Sequence, residues 1–186
     1  SIAAVMSTPA KLRWITALAA AGLREIEVCS FVPPKLLPQM ADAADVVAGA
    51  RQLPGLGVAA LAPNLHGARA AFKAGAAKVT LPVSVSEAHS LANVRKTHAQ
   101  MRDEVAAVVA LRNAQFPDVK LEAGLSTAFG CTLTGQVPQA DTLRLAVAMA
   151  QLGVDEVGLS DTTGYANPAQ VTRLFKALRA ELGARA

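Results

Sequence analysis

The feature that most constrains how this chain folds is one short pattern that occurs three times. In each copy a helix-forming segment ends at a glycine, a short turn follows, and a strand-forming segment begins. The three glycines are Gly22, Gly75 and Gly153. Glycine readily takes the left-handed conformation that ends many helices. The repeat therefore predicts helices and strands that alternate and are joined by short turns, which is the pattern of a parallel α/β sheet.

The apolar periodicity of the chain predicts six helices and five strands. The first helix is expected to begin at Ser7, with a hydroxyl cap and Pro9 in its first turn, and to end at Gly22. A long polar loop of the kind that often binds ligands or acts as a lid is expected to lead up to Thr97. The other predicted helices are residues 41–51, 65–74, 97–115, 138–152 and 168–182. The predicted strands are residues 24–29, 57–63, 78–83, 120–126 and 156–161.

The composition of these strands favours a closed barrel over an open sheet. The central strands of open parallel sheets are nearly continuous apolar runs, whereas the strands here carry polar residues at alternate positions or at their carboxyl ends. No glycine-rich nucleotide-binding motif occurs in the chain. A complete (β/α)8 barrel, or TIM barrel, needs eight strands and about 250 residues. We therefore expect residues 1–186 to be one domain that forms about strands two to six of such a barrel.

Composition excludes several other classes of protein. A hydrophobic content of 52% with 17% charged residues predicts a globular chain. No apolar run approaches the roughly 20 residues of a membrane span, and no basic region precedes the apolar residues at the N-terminus, which disfavours a signal peptide. The net charge of +4 comes with few aromatic residues, which disfavours nucleic-acid binding. Cys29 and Cys131 match no metal or redox motif, so a reducing, cytoplasmic setting is expected.

In a TIM barrel the functional residues lie at the carboxyl ends of the strands. Glu27 stands inside the first strand and is expected to be buried, where a carboxylate needs a salt bridge or a ligand. Asn64 follows the second strand and either caps the next helix or contacts a ligand. Asp161 follows the last strand and precedes two hydroxyl residues and a glycine; it is a functional candidate, or a turn aspartate bonded to its own backbone. Cys131 is interpreted as a packed thiol rather than a nucleophile, and His66 as a surface residue.

Four segments taken together resemble a known family. They are IEVCSFVPPKLLPQMAD at 26–42, APNLHG at 62–67, STAFGC at 126–131 and LSDTTG at 159–164. In this order and spacing they resemble the 3-hydroxy-3-methylglutaryl-CoA (HMG-CoA) lyases of the DRE-TIM metallolyase group. The resemblance implies cleavage of HMG-CoA to acetyl-CoA and acetoacetate, as in leucine catabolism. It also implies a divalent cofactor, Mg²⁺ or Mn²⁺, an acyl-CoA as the partner, a cysteine or histidine acid, and a homodimer.

The same resemblance assigns roles to six residues. It implies that Glu27 and Asp161 are catalytic, with Asp161 transferring a proton or orienting the substrate hydroxyl. It implies that four polar residues line the substrate, namely Ser30, Asn64, Ser126 and Thr162.

The chain also departs from the family pattern. The family's Arg-Asp-Gly motif, its His-x-His metal pair and its reactive cysteine in a glycine-rich loop are not found in residues 1–186. No metal ligand is therefore expected in this chain, and this segment is expected to be inactive alone. Two enzyme alternatives stay open, a related DRE-TIM lyase for another acyl-CoA and a Claisen condensing synthase. The alternative of another class is a non-catalytic barrel fragment or binding scaffold.

Overall fold

The computed structural model describes residues 3–185, and the expectation for the N-terminus therefore lies partly outside the described residues. The helices are α1 Thr8–Ala20, α2 Ala43–Ala50, α3 Leu65–Ala74, α4 Glu87–Val94, α5 His98–Gln115, α6 Gln139–Leu152 and α7 Pro168–Leu182. The strands are β1 Glu25–Ser30, β2 Gly57–Leu61, β3 Lys78–Ser84, β4 Lys120–Ser126 and β5 Glu156–Leu159. Short 3-10 helices form at Pro38–Met40 and Gly183–Arg185.

The strands follow one another across a sheet in the order β1-β2-β3-β4-β5. The pairings of β1 with β2, β2 with β3 and β4 with β5 are parallel. Along β4, Leu121, Ala123 and Leu125 are fully buried, and they alternate with half-buried residues on the other face. The strand contacts α6, as expected where a helix covers one face of a parallel sheet. The prediction of a parallel α/β fold is confirmed.

The three repeated turns have the predicted backbone. Gly22, Gly75 and Gly153 have φ angles of 105°, 87° and 103°. A side chain is strained at these angles, which is why glycine ends each helix. In each turn the glycine N–H donates to a carbonyl of the last helical turn. The helix ends predicted from the repeat are therefore confirmed.

The start of α1 differs in one detail from the prediction. Ser7 occupies the cap position, but its side chain makes no capping hydrogen bond. The neighbouring Thr8 hydroxyl donates instead to Asp42 Oδ2 at 2.6 Å. The prediction of a hydroxyl cap is therefore wrong. The hydrogen bond from Thr8 to Asp42 near this helix start is a tertiary contact.

The segment expected to be a long polar loop contains a helix, α4. Ser86 precedes this helix and its Oγ accepts from the N–H of His89 at 3.3 Å. Glu87 lies in the first turn, where a negative charge is favoured. Ser90 is fully buried and donates from its hydroxyl to the carbonyl of Lys96 at 2.7 Å. Capping and this polar contact stabilise a helix that has no strong apolar stripe. The prediction of a long loop was wrong because the segment contains this helix.

By its internal contacts the described chain divides into two compact units. The first, here the N-unit, runs to Thr80 and includes Leu111–Val119. The second, here the C-unit, comprises Leu81–Ala110 and the chain from Lys120 onward. The expectation that residues 1–186 form one domain stays a prediction.

Each unit has its own core. In the N-unit, α1 packs on α2 where Leu12 lies against Gly49, so closely that a β-carbon on Gly49 would stand 2.6 Å from Leu12 Cδ1. The rings of Phe72 and Phe116 also pack, with centroids 5.1 Å apart. In the C-unit the largest fully buried side chains are Leu81, Met101, Leu121, Leu125, Met149 and Leu178.

Candidate functional site

At the end of β1 the structure corrects one prediction, because Glu27 is exposed rather than buried. β1 is the first strand in the sheet order, and its pairing with β2 shifts register between Glu27 and Cys29. Such a bulge re-aims the side chains on either side of it. The alternation of Glu27 with Ile26 and Val28 therefore showed which residues share a face, but not whether that face is covered.

Cys29, after the bulge, is buried, and its thiol donates to the carbonyl of Ala43 at 3.6 Å. Burial, together with the negative charges of Glu27 and Asp42, raises the pKa of the Cys29 thiol to about 12. A thiol with this pKa stays protonated at neutral pH. Cys29 is thus a packing residue and not a nucleophile.

The remaining N-unit candidates lie where β1 and β2 end. Ser30 is the last residue of β1 and is half-buried. Asn64 caps α3, since its Oδ1 accepts from the N–H of Gly67 at 2.8 Å. The helix-cap interpretation of Asn64 is therefore confirmed, whereas its contact with substrate stays a prediction. His66 is exposed in the first turn of α3, as expected.

A cavity of about 350 Å³ opens in the N-unit beside Asn64. Its volume lies within the range of small-molecule sites. Most of its lining is apolar and comes from the segment after β1 and from α2 and α3. The lining residues include Phe31, Val32, Pro33, Pro34, Met40 and Ala70.

In the C-unit, Ser126 ends β4 and is half-buried. Its backbone carbonyl accepts from the N–H of Val85 at 2.9 Å, which joins the ends of β3 and β4. Thr162 is exposed, and its hydroxyl accepts from the N–H of Thr127 at 2.8 Å. The structure thus brings Thr162 to the residue directly after Ser126, so these two candidates belong to one site.

Asp161 is exposed and lies beyond the end of β5. Its Oδ1 accepts from the N–H of Tyr165 at 3.0 Å, and its Oδ2 accepts from the N–H of Ala166 at 3.1 Å. This is the turn aspartate that the sequence left open as an alternative. The two bonds hold the carboxylate in one orientation, and an oriented carboxylate is also what a proton transfer needs.

The segment after β4 is held by contacts with the loop after β5. Thr163 donates from its hydroxyl to the carbonyl of Gly130 at 2.9 Å. The Tyr165 ring lies over Gly130, where a β-carbon would stand 2.5 Å from the ring. Cys131 is fully buried, and its sulfur accepts from the N–H of Leu133 at 3.4 Å. The interpretation of Cys131 as a packed thiol agrees with this burial.

Two residues that the sequence did not single out take part in the C-unit site. Thr127 contacts Ser86, Ser126 and Thr162, and no local pattern marks it as special. Ser84 is contacted by two histidines, because His89 Nδ1 lies 2.7 Å from its hydroxyl oxygen and His98 Nε2 lies 2.9 Å from its carbonyl oxygen. The contacts of Thr127 with Ser86 and Thr162 join residues distant in sequence, which a motif search does not reveal.

A divalent metal ion is held by several donor side chains that lie close together. Within residues 3–185 no group of three or more His, Cys, Asp or Glu side chains is placed to hold one. The residues present therefore do not fit a divalent metal by themselves.

No helix in the described part of the chain is long and apolar enough to cross a membrane.

The parallel α/β fold with polar side chains at its strand ends is typical of TIM-barrel enzymes, and comparison with known proteins gives the family. The HMGL-like family model matches residues 1–186, and the chain belongs to this family. It is 37% identical over 179 residues to hydroxymethylglutaryl-CoA lyase YngG of Bacillus subtilis, covering 96% of this chain and 59% of that protein. It is 39% identical over 173 residues to a 3-hydroxy-3-isohexenylglutaryl-CoA/hydroxymethylglutaryl-CoA lyase of Pseudomonas aeruginosa, covering 92% of this chain and 57% of that protein.

A solved structure agrees with these relatives. An HMG-CoA lyase from Acinetobacter baumannii, in complex with coenzyme A and 3-methylmalate, superposes with a TM-score of 0.90 at 31% identity and covers 97% of this chain and 58% of that one. The similar lyases are TIM barrels, so the barrel prediction is confirmed. The resemblance to HMG-CoA lyases is likewise confirmed. The chain spans somewhat less than two thirds of the length of the relatives it matches.

Proposed function

We propose that this chain forms part of the substrate-contacting wall of an enzyme that cleaves HMG-CoA to acetyl-CoA and acetoacetate. The observation that carries the proposal is the C-unit site, where Ser126 ends β4 and Asp161 and Thr162 follow β5 in a chain of the HMGL-like family. The carboxyl ends of the strands are where TIM-barrel enzymes place their catalytic groups.

The reaction breaks the bond between C2 and C3 of the acyl chain. A base takes the proton of the C3 hydroxyl, and C3 with its oxygen becomes the ketone of acetoacetate. The electron pair of the broken bond forms the enolate of acetyl-CoA, which a proton donor then converts to acetyl-CoA. A group that removes the hydroxyl proton must accept a hydrogen bond from it.

We assign that role to Asp161. Its carboxylate is exposed and is oriented by the N–H groups of Tyr165 and Ala166. Each of its oxygens keeps a further lone pair that can accept from a substrate hydroxyl. Ser126 and Thr162 supply hydroxyl groups for the oxygens of the substrate. Ser30 and Asn64 are also proposed as substrate-binding residues, on the resemblance to the family alone. Glu27 is proposed as the second acidic catalytic residue, which its exposure leaves accessible.

A divalent ion, Mg²⁺ or Mn²⁺, is proposed for the full-length enzyme, where it would polarise substrate oxygens when bound. The dimer and the cytoplasmic setting remain predictions of the resemblance and of the cysteine content.

The test uses the full-length gene product with Mg²⁺ or Mn²⁺ and measures acetoacetate formed from HMG-CoA. Wild-type protein is expected to turn over, and Asp161→Asn is expected to lower kcat at least 100-fold, the usual scale of a lost acid–base group. Asp103→Asn, at an exposed position of α5, is the control and should leave kcat unchanged. Wild-type protein that forms no acetoacetate would overturn the proposal. Near-normal turnover of Asp161→Asn would overturn only the assignment of Asp161.

A substrate with a larger apolar group on C3 is the second candidate. The apolar cavity beside Asn64 favours it, and the Pseudomonas aeruginosa relative is named for an isohexenylglutaryl-CoA as well as for HMG-CoA. The same assay with a panel of 3-hydroxyacyl-CoA thioesters decides between the two. A kcat/KM for the isohexenyl substrate at or above that for HMG-CoA would favour the larger group, and turnover of neither would leave the condensing synthase or a non-catalytic scaffold.

A further inference from the structure

Thr127 has a backbone conformation that threonine rarely takes. Its φ angle is 57°, in the left-handed region, where a β-branched side chain is crowded against its own backbone. The residue is also fully buried. Strained conformations of this kind persist only where the surrounding contacts enforce them, and they cluster at functional sites.

The hydroxyl of Thr127 has two partners. It donates to the carbonyl of Ser126 at 2.7 Å and accepts from the N–H of Ser86 at 3.1 Å. With its one proton and one lone pair engaged by backbone groups, the hydroxyl fixes the rotamer of Thr127 and supports the left-handed backbone. The side chain of Thr127 therefore ties the residue after β3 to the last residue of β4.

The left-handed backbone has a consequence for Thr162. It directs the N–H of Thr127 to Thr162 Oγ1 at 2.8 Å. A threonine hydroxyl that accepts such a bond still has its own proton to donate. Because Thr162 is exposed, that proton is available to an oxygen atom outside the fold, such as a carbonyl or carboxylate oxygen of an acyl-CoA.

We propose that Thr127 is a positioning residue, whose hydroxyl-supported left-handed backbone sets Thr162 as a hydrogen-bond donor to the substrate. The inference rests on the proposed function, since it takes the ligand to be a 3-hydroxyacyl-CoA. It adds a residue that contacts no substrate itself and acts only through Thr162.

A double-mutant cycle in the full-length enzyme tests this role. Thr127→Val removes the hydroxyl at nearly constant shape and is expected to lower kcat/KM for HMG-CoA at least tenfold, while Thr127→Ser keeps the hydroxyl and should restore activity to within about threefold of wild type. In a Thr162→Val background, Thr127→Val should cost no more than about a further threefold. If the losses in kcat/KM from the two substitutions are independent and multiply, the proposal is overturned. Thr127 would then affect activity through the stability of the whole protein and not through Thr162. If Thr127→Val does not fold, Thr127→Gly enters the same cycle, since glycine tolerates the positive φ.

Amide hydrogen exchange gives a readout that does not depend on turnover. Thr162→Val should speed exchange of the Thr127 amide at least tenfold and leave unchanged the amide of Leu121, which donates to Asp155 Oδ2 at 2.7 Å. Unchanged exchange at Thr127 would overturn the inference. If the Thr127 amide exchanges faster but the protein does not turn over HMG-CoA, only the proposed function is overturned. The double-mutant cycle would then be run with whichever thioester of the panel is cleaved.

Discussion

The carbonyl oxygen of Phe31 lies 2.5 Å from the point where a β-carbon on Gly67 would stand. The first turn of α3 therefore approaches the segment after β1 as closely as a glycine allows. This approach places the Asn64 cap beside the segment that follows Ser30. Asn64 and Ser30 are both candidate substrate-binding residues. The close contact between Phe31 and Gly67 therefore helps to fix where these two candidates lie.

Replacement of Gly67 by alanine should destabilise the protein. The neighbouring atom is backbone and has little room to move, so we expect Gly67→Ala to cost about 1–3 kcal/mol, as overpacked sites do. Gly57→Ala is the matched control, because the nearest atom to its β-carbon would be 3.4 Å away, an ordinary contact. Urea unfolding of both variants measures the difference. Equal stabilities would show that the approach of α3 is not as tight as described.

Two substitutions at Asn64 should distinguish its effect on stability from its effect on activity. Asn64→Ala removes the cap and is expected to lower the free energy of unfolding by about 0.5–2 kcal/mol. Asn64→Asp keeps an acceptor for the N–H of Gly67 and adds a charge that a helix N-terminus favours, so its stability should stay near wild type. Thermal unfolding and acetoacetate formation are measured together. A stable Asn64→Asp enzyme with full activity would argue against a substrate contact of the amide.

Asp42 should make the protein sensitive to acid. Burial of its carboxyl is outweighed by hydrogen bonds from Lys11 and Thr8, which lower the pKa of Asp42 below its usual value. A lowered folded-state pKa means that this stabilisation is fully present above the unfolded pKa of about 3.9. It is lost as the pH falls through the lower folded-state value.

The corresponding variant is Asp42→Asn. At pH 7 it should lose about 1.5–3 kcal/mol, the scale of hydrogen bonds to a charged group, and its stability should fall less than that of wild type below about pH 4. Urea midpoints from pH 3 to pH 7 measure this, with Asp103→Asn as the control. Parallel curves for Asp42→Asn and wild type would contradict it.

The two cysteines of the chain should resist alkylation in the native state. Cys131 is fully buried, and Cys29 is 6% exposed with a pKa raised to about 12, mainly by burial. Labelling at pH 8 is expected only in denaturant, with peptide mass analysis identifying each site. Ala48→Cys adds a thiol at an exposed position of α2 and should label rapidly in the same protein. Native labelling of Cys131 at the rate of residue 48 would refute its assignment as a packed thiol.

Local signals predicted most of the fold. The bounds of α3 and α7 were predicted without error because Asn64, Gly75 and Pro168 are strong end signals. Helix α4 was missed because its sequence has little apolar periodicity. The helix is stabilised instead by the cap at Ser86 and by polar contacts. Local chemistry thus marks the ends of elements better than it marks a short polar helix.

The candidate site was less predictable than the fold. The burial of Glu27 depends on what covers its face of β1 and on a bulge, and neither is encoded in the neighbouring residues. The φ angle of Thr127 runs against its own preference, and the partners Ser86 and Thr162 that it meets are distant in sequence. Residue types at strand ends therefore indicated where chemistry belongs, and three-dimensional contacts were needed to show how those residues are held.

The three turns at Gly22, Gly75 and Gly153 give the chain natural seams. Each turn takes its geometry from one glycine and the carbonyls just before it, so the angle at which a helix passes into the next strand is specified within a few residues. Exchange of segments between related barrels at these seams would preserve the joint on both sides. Chimeras joined at the glycines should therefore fold more often than chimeras joined inside a helix, and gene duplication could lengthen such a chain one module at a time.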